Sequence, residues 1–195
     1  AEFSGADLSG ADLTGTCLKK AVLSRVDLTG AKLCRTSLGD VDLTEANLFR
    51  ADLTESVIEN ADLTRANLGE ANLSGLTLNK AMLTGADLSG ARIVGAVLSK
   101  SQLNGNKLTG ADLSFSKLVR SSFEKADLAN ANLERADLSG AQLAGANLSK
   151  ANLTAAVLDR ADLNGANLAG AALSSAGLVE SNLSKAILKG AVLDG

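Results

Sequence analysis

A period of five residues runs through the whole chain without a slip. The 195 residues divide into 39 pentapeptides, and the third residue is Leu in 35 of them and Phe or Ile in the other four. The first residue is usually Ala, the second is most often Asp or Asn, the fourth is often Ser or Thr, and the fifth is most often Gly. Any fold of this chain must therefore give a large apolar side chain the same environment every five residues.

Neither a regular helix nor a flat strand satisfies this period. In an α-helix, residues five apart are rotated by about 140°, so the Leu side chains would spread around the axis. In a strand, side chains alternate between two faces, so an odd period sends successive Leu side chains to opposite faces. A short extended piece followed by a corner keeps Ala and Leu inside and Asp or Asn outside, with Ser, Thr and Gly in the bend.

Corners near 90° close one square coil from four pentapeptides. Successive coils would stack through parallel hydrogen bonds about 4.8 Å apart, which gives about 9.75 coils and a rod roughly 45 Å long. We therefore predict an all-β solenoid that occupies residues 1–195 as one domain, with no insertions and no separate capping segment. Phe123 stands in a Leu position and is predicted to lie in the core.

The tandem pattern A-[D/N]-L-[S/T]-x resembles that of the pentapeptide repeat family. Examples are Ala6–Gly10, Ala51–Glu55 and Ala146–Lys150, and the resemblance covers the whole chain. It implies a right-handed quadrilateral parallel β-helix. It also implies several weakly related roles: some members imitate DNA and act on DNA gyrase, typically as dimers with a terminal helix and often with loops that break the repeats. We expect neither a terminal helix nor such loops in this chain. Many other members have no settled activity.

Composition argues against an enzyme. The chain has no His, Pro, Trp or Tyr, and aromatic residues make up 2% of it. Every pairing of Asp with Ser recurs along the rod, and a filled interior leaves no concave pocket. We therefore expect no catalytic residues, no cofactor, no metal and no small-molecule substrate. The two cysteines, Cys17 and Cys34, fall at different positions of their repeats and are expected to be free thiols.

The predicted coil sorts the repeats onto four faces. Faces one to four are the repeats that begin at residues 1, 6, 11 and 16, and at every twentieth residue after each. Face four carries 5 acidic and 7 basic residues, whereas acidic residues outnumber basic ones on the other three faces. Its second positions hold only one Asp or Asn, Asp137. Face four is therefore the face that departs most from the consensus.

A run of bases lies along one edge of face four. Lys80, Lys100 and Arg120 are stacked fifth positions, here called the basic column. Elsewhere such columns alternate in sign, as in Arg25–Glu45–Arg65, Arg35–Glu55 and Arg50–Glu70, and exposed pairs of this kind contribute about 0–1 kcal/mol each. We predict a protein-binding surface on and beside face four, formed by Val57, Lys80, Val97, Lys100, Phe115, Lys117, Val119 and Arg120.

Three functional interpretations remain open at this stage. The preferred one is a non-enzymatic rigid scaffold or protein-binding module, and its expected partner is another protein or a second copy bound through the open coil ends. The second is a DNA-mimicking regulator or protector of gyrase or topoisomerase. The third, suggested by the unbroken phase, is a designed or trimmed structural scaffold. We expect no direct nucleic-acid binding and no membrane association, and a cytoplasmic location because no signal peptide or transmembrane segment is visible.

Overall fold

The computed structural model describes residues 1–78 and 80–195, and it shows a right-handed quadrilateral β-helix, as predicted. Each strand is a single bridge residue, the second residue of each repeat, and the fourth and fifth residues form a turn. Thirty-three parallel bridges join residues twenty apart, from Glu2–Val22 to Ala172–Val192. Four repeats therefore make one coil, and no helix interrupts the described residues.

Backbone hydrogen bonds explain how one repeat holds its neighbours. The third and fifth N–H groups donate to the next coil, the second N–H donates to the previous coil, and the first N–H of the following repeat closes the turn. In repeat 41–45 these bonds run from Leu43 to Asp62 at 2.8 Å, from Glu45 to Thr64 at 2.9 Å, from Asp42 to Ala21 at 3.1 Å, and from Ala46 to Leu43 at 3.0 Å. This regular pattern gives the fourth N–H no backbone acceptor.

The Asp or Asn at the second position supplies that missing acceptor. In the same repeat, Oδ1 of Asp42 accepts a hydrogen bond from the N–H of Thr44 at 2.9 Å. All 19 Asp and Asn residues at second positions cap the fourth N–H of their own repeat in this way. The outward acidic and amide side chains thus belong to the corner, because an Asx side chain readily bonds to backbone two residues on.

The fifth residue is left-handed in every repeat. All 39 fifth residues have positive φ, between 53° and 90°, and only 16 of them are Gly. The sequence predicted a bend here but not this conformation, because Lys, Arg and Glu are common at the position and ordinarily avoid it. The turn runs from the third residue of one repeat to the first residue of the next, so the fifth residue of the repeat is the third residue of the turn. A turn that needs positive φ at that residue explains why Gly is the most frequent choice.

The core is a column of Leu side chains lined by Ala. Leu23, Leu43 and Leu63 are fully buried, as are most residues at first and third positions away from the ends. Phe123 is also fully buried, which confirms its prediction as a core residue. Six polar residues share the inward first position with Ala and are buried: Thr36, Ser56, Ser101, Asn106, Ser116 and Ser121.

The ladder between coils opens at two places on adjacent faces. Among the described residues, second-position residues twenty apart form a bridge, except in the pairs Val57–Thr77 and Met82–Gln102. Near the first opening, Leu76 occupies an inward position usually held by Ala and is 2% exposed. Since Leu is larger than Ala, it forces the wall outward where the coils are otherwise in close contact.

Two further sequence predictions can be compared with the structure. Both cysteines are free, with Cys17 exposed and Cys34 partly buried. No helix in the described part of the chain has the length and hydropathy of a membrane span.

Candidate protein-binding surface

The basic column lies at the corner where face four meets face one. Lys80, Lys100 and Arg120 are all exposed, and the N–H of Lys100 donates to the carbonyl oxygen of Val119 at 2.9 Å, which fixes successive coils in register. The ion pairs of the described residues join side chains twenty apart, and none includes a member of the column. Three positive charges therefore stand one coil apart without a carboxylate partner.

The columns of alternating charge form ion pairs at two places and leave two other pairs apart. Arg65 pairs with Glu45 at 2.6 Å, and Arg50 pairs with Glu70 at 2.7 Å. Neither the Arg25–Glu45 pair nor the Arg35–Glu55 pair forms among the described contacts, since exposed long side chains lose conformational entropy on pairing and gain little in water. Three pairs were not predicted: Lys32–Asp12, Lys107–Asp87 and Arg160–Glu180.

Neutral side chains flank the basic column on both sides. Ser99 and Val119 precede Lys100 and Arg120 on the side of face four, and Met82, Gln102 and Ser122 follow the column on face one. Met82 is half exposed. These flanking positions carry no acid, so they do not offset the positive charge of the column. The column differs in this respect from the places where a base faces a carboxylate in the next coil.

Two backbone N–H groups beside the column also lack acceptors. The second residues of these repeats are Val97 and Lys117, which cannot cap as Asp or Asn does. Within the described residues, the N–H groups of Ser99 and Val119 consequently make no hydrogen bond. Each uncapped N–H lies one residue before a base of the column.

A groove continues from the top of the basic column. Its volume is about 440 Å³ and its lining consists of Val119, Arg120, Ser139, Gly140, Asp159, Arg160 and Val179. Gly140 takes the place in the column that follows Arg120, so the missing side chain leaves room between Arg120 and Arg160. Val179 is 65% exposed. The groove thus combines guanidinium groups with apolar side chains at its two ends.

The structure brings together only part of the predicted surface. Lys100, Lys117, Val119 and Arg120 lie in two neighbouring coils, and Val97 bridges to Lys117 directly. Val57 is exposed but lies beside the ladder opening, where a separate crevice of about 360 Å³ is lined by residues 55–59 and 75–77.

Phe115 lies at the opposite edge of face four from the basic column. It is 52% exposed, and the guanidinium of Arg135 stands 5.7 Å from its ring centroid. A cation over an aromatic face is attracted by the ring quadrupole, so Phe115 already has an intramolecular partner and is less available to another molecule.

Sequence reasoning missed the free N–H groups and the groove. Ser99 carries one of the free N–H groups, and its signal was present in the sequence: the residue two positions earlier is neither Asp nor Asn. No comparable signal pointed to the other groove residues, Ser139, Gly140, Asp159, Arg160 and Val179. Gly140 leaves a groove only because the long side chains of Arg120 and Arg160 lie on either side of it, and their placement is not visible in the sequence.

Carboxylates elsewhere are held in the charged form by the corner caps. The hydroxyl and then the N–H of Ser9 lower the pKa of Asp7, and Thr14 does the same for Asp12. Burial is the largest single influence on the pKa of Asp52 and raises it. The N–H and hydroxyl of Thr54, with a smaller contribution from Cys34, together outweigh burial, so the pKa of Asp52 is lowered.

These features define an all-β repeat solenoid with a chemically distinct edge. The sequence profile described as "Pentapeptide repeats" matches eight copies, over residues 1–25, 21–60, 61–99, 107–141, 136–174 and 156–195. The chain belongs to the pentapeptide repeat family. A comparison with the curated proteins finds no match.

Several solved structures are similar to the chain. HetL, a pentapeptide repeat protein involved in heterocyst differentiation regulation from the cyanobacterium Nostoc sp. strain PCC 7120, is 34% identical, and the match covers 98% of this chain and 89% of HetL with a TM-score of 0.38. A pentapeptide repeat protein from the Arabidopsis thaliana thylakoid lumen is 34% identical over 47% of this chain and 64% of its own, with a TM-score of 0.31. QnrB1, a plasmid-mediated fluoroquinolone resistance protein, is 19% identical over 94% of this chain and 84% of its own, with a TM-score of 0.40.

Proposed function

We propose that this protein is a non-enzymatic, rigid binding module that holds an acidic partner protein at the basic column. One observation carries the proposal: Lys80, Lys100 and Arg120 are exposed, stacked and unpaired. Like charges about 4.8 Å apart repel one another, so the free protein keeps an unfavourable arrangement that a partner carrying carboxylates would relieve.

The rigidity of the fold supports a binding role. Each coil is hydrogen-bonded to the next through up to three backbone contacts per repeat, so the column presents its charges at a fixed spacing. A binding site that is already ordered loses little conformational entropy when the partner arrives. The interior is filled by Leu and Ala side chains, so the functional chemistry of this protein is that of its outer surface.

The DNA-mimic alternative has less support from the distribution of charge. A duplex carries about one negative charge per 1.7 Å, or about 26 over a rod roughly 45 Å long, whereas this chain has a net charge of −3. Its outward Asp and Asn side chains are also engaged as corner caps, as Asp42 is with Thr44. The first hypothesis therefore fits the arrangement better.

Binding of a labelled acidic peptide tests the proposal. A fluorescein-labelled, alanine-based peptide with several Glu residues is titrated with the protein, and the dissociation constant is read from fluorescence anisotropy. The triple variant Lys80→Glu, Lys100→Glu, Arg120→Glu is expected to bind at least about tenfold more weakly, because it replaces attraction by repulsion. Added salt should weaken binding to the wild type.

A matched variant controls for net charge. Lys125→Glu, Lys150→Glu, Lys185→Glu makes the same change at three exposed fifth positions outside the column and should bind within about twofold of the wild type, because distant exposed charges are screened. Equal weakening by both triple variants would show a nonspecific charge effect and contradict the proposal, as would no binding by the wild type.

A further inference from the structure

The position of the basic column coincides with a gap in the corner caps. Ser99 and Val119 have free N–H groups in two successive coils, and each is followed by a base, Lys100 or Arg120. Elsewhere on face four a free N–H precedes an acid or an amide at Gly39 and Glu59, and it precedes a base at Lys19 and Asp159, but only Ser99 and Val119 place two such N–H groups before bases in successive described coils. A carboxylate is therefore favoured at Ser99 and Val119 by a donor and a charge together.

The protein itself shows a carboxylate from another coil filling such a gap. The N–H of Val179 has no Asx side chain in its own repeat, because residue 177 is Gly. Oδ1 of Asp159, from the previous coil, accepts that N–H instead at 3.0 Å. A Cβ atom on Gly177 would lie only 3.0 Å from Oδ1 of Asp159, so Gly177 makes room for the incoming carboxylate.

We propose that carboxylates of an acidic helix on the partner complete the missing caps at Ser99 and Val119 while they neutralise Lys100 and Arg120. This inference rests on the proposed function and specifies its ligand. Each carboxylate would accept one backbone N–H and face one cation, which reproduces the bond that Asp makes to the fourth N–H in the regular repeats.

The spacing of the two sites favours a helix as the occupant. Successive coils are about 4.8 Å apart, so two carboxylates must lie at about that distance along the rod. Residues three or four apart in an α-helix are separated by about 4.5–6 Å along its axis and lie on one side. Residues on one side of an extended strand are about 6.6 Å apart, so a strand parallel to the rod would fall out of register.

The groove above the column can receive an apolar side chain of the same helix. It begins at Val119 and extends along the corner to Val179, in line with the two cap sites. Gly140 forms its middle, between the guanidinium groups of Arg120 and Arg160. An amphipathic helix with Glu residues at one end and an aliphatic side chain beyond them matches this order.

Restoring a cap inside the protein tests the inference without altering charge. Val97→Asn provides an Oδ1 that accepts the N–H of Ser99, as Asn72 does for Ser74 at 3.2 Å. This variant should bind the Glu peptide about tenfold more weakly, since one charge-assisted hydrogen bond is lost. The comparison variant Val97→Ala removes the same side chain without offering an acceptor, and Val97→Asn should bind several-fold more weakly than Val97→Ala.

Two additional measurements separate the parts of the inference. In ¹H–¹⁵N spectra, the amide protons of Ser99 and Val119 should move downfield when the peptide is added, and the Ser99 shift should be lost in Val97→Asn. A peptide of identical composition with its Glu residues two apart should bind several-fold more weakly than one with Glu residues three and four apart.

Each result leads to a different conclusion. Equal binding by wild type and Val97→Asn, or unmoved amide protons, would overturn the cap sites while leaving the proposed function intact. Equal binding by the two peptides would overturn the helical occupant. Retained binding in the Lys80, Lys100, Arg120 charge-reversal variant would instead contradict the proposed function itself.

Discussion

The side-chain amide of Asn106 donates a hydrogen bond to the backbone carbonyl oxygen of Leu83, in the previous coil, at 2.7 Å. Its Oδ1 accepts the N–H of Gly85 at 3.0 Å. Both bonds lie next to the opening between Met82 and Gln102, where the backbone ladder is missing. An inward amide in a position usually held by Ala therefore supplies the acceptor that the adjacent coil does not offer to the N–H of Gly85, and it adds a second donor to the carbonyl of Leu83, which also accepts the N–H of Ala86 at 3.0 Å.

Asn106→Ala should destabilise the protein even though Ala is the consensus residue. The N–H of Gly85 would lose its acceptor, the carbonyl of Leu83 would lose one of its two donors, and the buried amide would leave a cavity, so the expected cost is about 1–3 kcal/mol. Urea unfolding followed by far-UV circular dichroism measures the change. The control Gln142→Ala removes an exposed amide at a second position without positive φ and should change stability by less than about 0.5 kcal/mol; equal effects of the two substitutions would contradict the role given to Asn106.

The same Ser→Ala change should alter the free energy of unfolding in opposite directions at two inward positions. The hydroxyl of Ser101 is buried without a hydrogen-bond partner, so Ser101→Ala should stabilise by about 1 kcal/mol. The hydroxyl of Ser121 donates to the carbonyl of Leu98 at 2.7 Å, so Ser121→Ala should destabilise by about 1 kcal/mol. Urea midpoints of the two variants compare them directly, and a common sign would show that these hydrogen bonds do not control the effect.

Ala155→Gly should stabilise the protein. Ala155 has a φ of 56°, a conformation that costs an L-residue about 1–2 kcal/mol. Gly avoids that cost, but it lowers stability by about 0.4–1 kcal/mol because it increases the entropy of the unfolded chain. The expected net gain is about 0.5 kcal/mol. Ala169→Gly, one position earlier in its repeat and without positive φ, should lose about 0.5–1 kcal/mol, and a thermal melt of each variant distinguishes the outcomes.

The corner caps should make stability fall in acid. Hydrogen bonds lower the pKa of Asp7, Asp12 and Asp52 in the folded protein, so the unfolded chain binds protons first as the pH drops. The stabilisation is fully present above the unfolded pKa of about 3.9 and is lost as the pH falls below it through the folded values.

Substitution of these carboxylates by amides tests that dependence. Asp7→Asn, Asp52→Asn keeps an Oδ1 acceptor but cannot titrate, so its urea midpoint should fall less steeply than that of the wild type below about pH 4. Glu55→Gln, Glu124→Gln makes the same charge change at exposed side chains that cap no N–H and should follow the wild-type curve. Parallel curves for all three proteins would contradict the prediction.

The fold was predictable because one period admits few geometries. Leu at every fifth position excludes the helix and the flat strand, and burial of Leu43 and Leu63 follows from the coil alone. The left-handed fifth residue was not predictable from Lys100 or Arg120, which disfavour that conformation. The backbone requirement of the turn overrides the local preference of these residues.

The candidate site was predictable only in its charges. The basic column follows from spacing alone, because residues twenty apart must stack. The pairing of Phe115 with Arg135 and the free N–H groups of Ser99 and Val119 depend on side-chain direction and on hydrogen bonds that the repeat pattern does not specify. For the same reason the alternating charges of Arg35 and Glu55 did not indicate whether these side chains form an ion pair.

The stacking of residues twenty apart has a consequence for how such chains change during evolution. Duplication of one pentapeptide preserves every Leu in the core, yet it turns all later residues by a quarter of a revolution about the axis. The bases at Lys100 and Arg120 would then continue a different edge from Lys80. Duplication of four pentapeptides lengthens the rod and keeps every edge aligned. Gene-level insertions of five residues can therefore redirect a surface, and insertions of twenty can extend it, without any new fold.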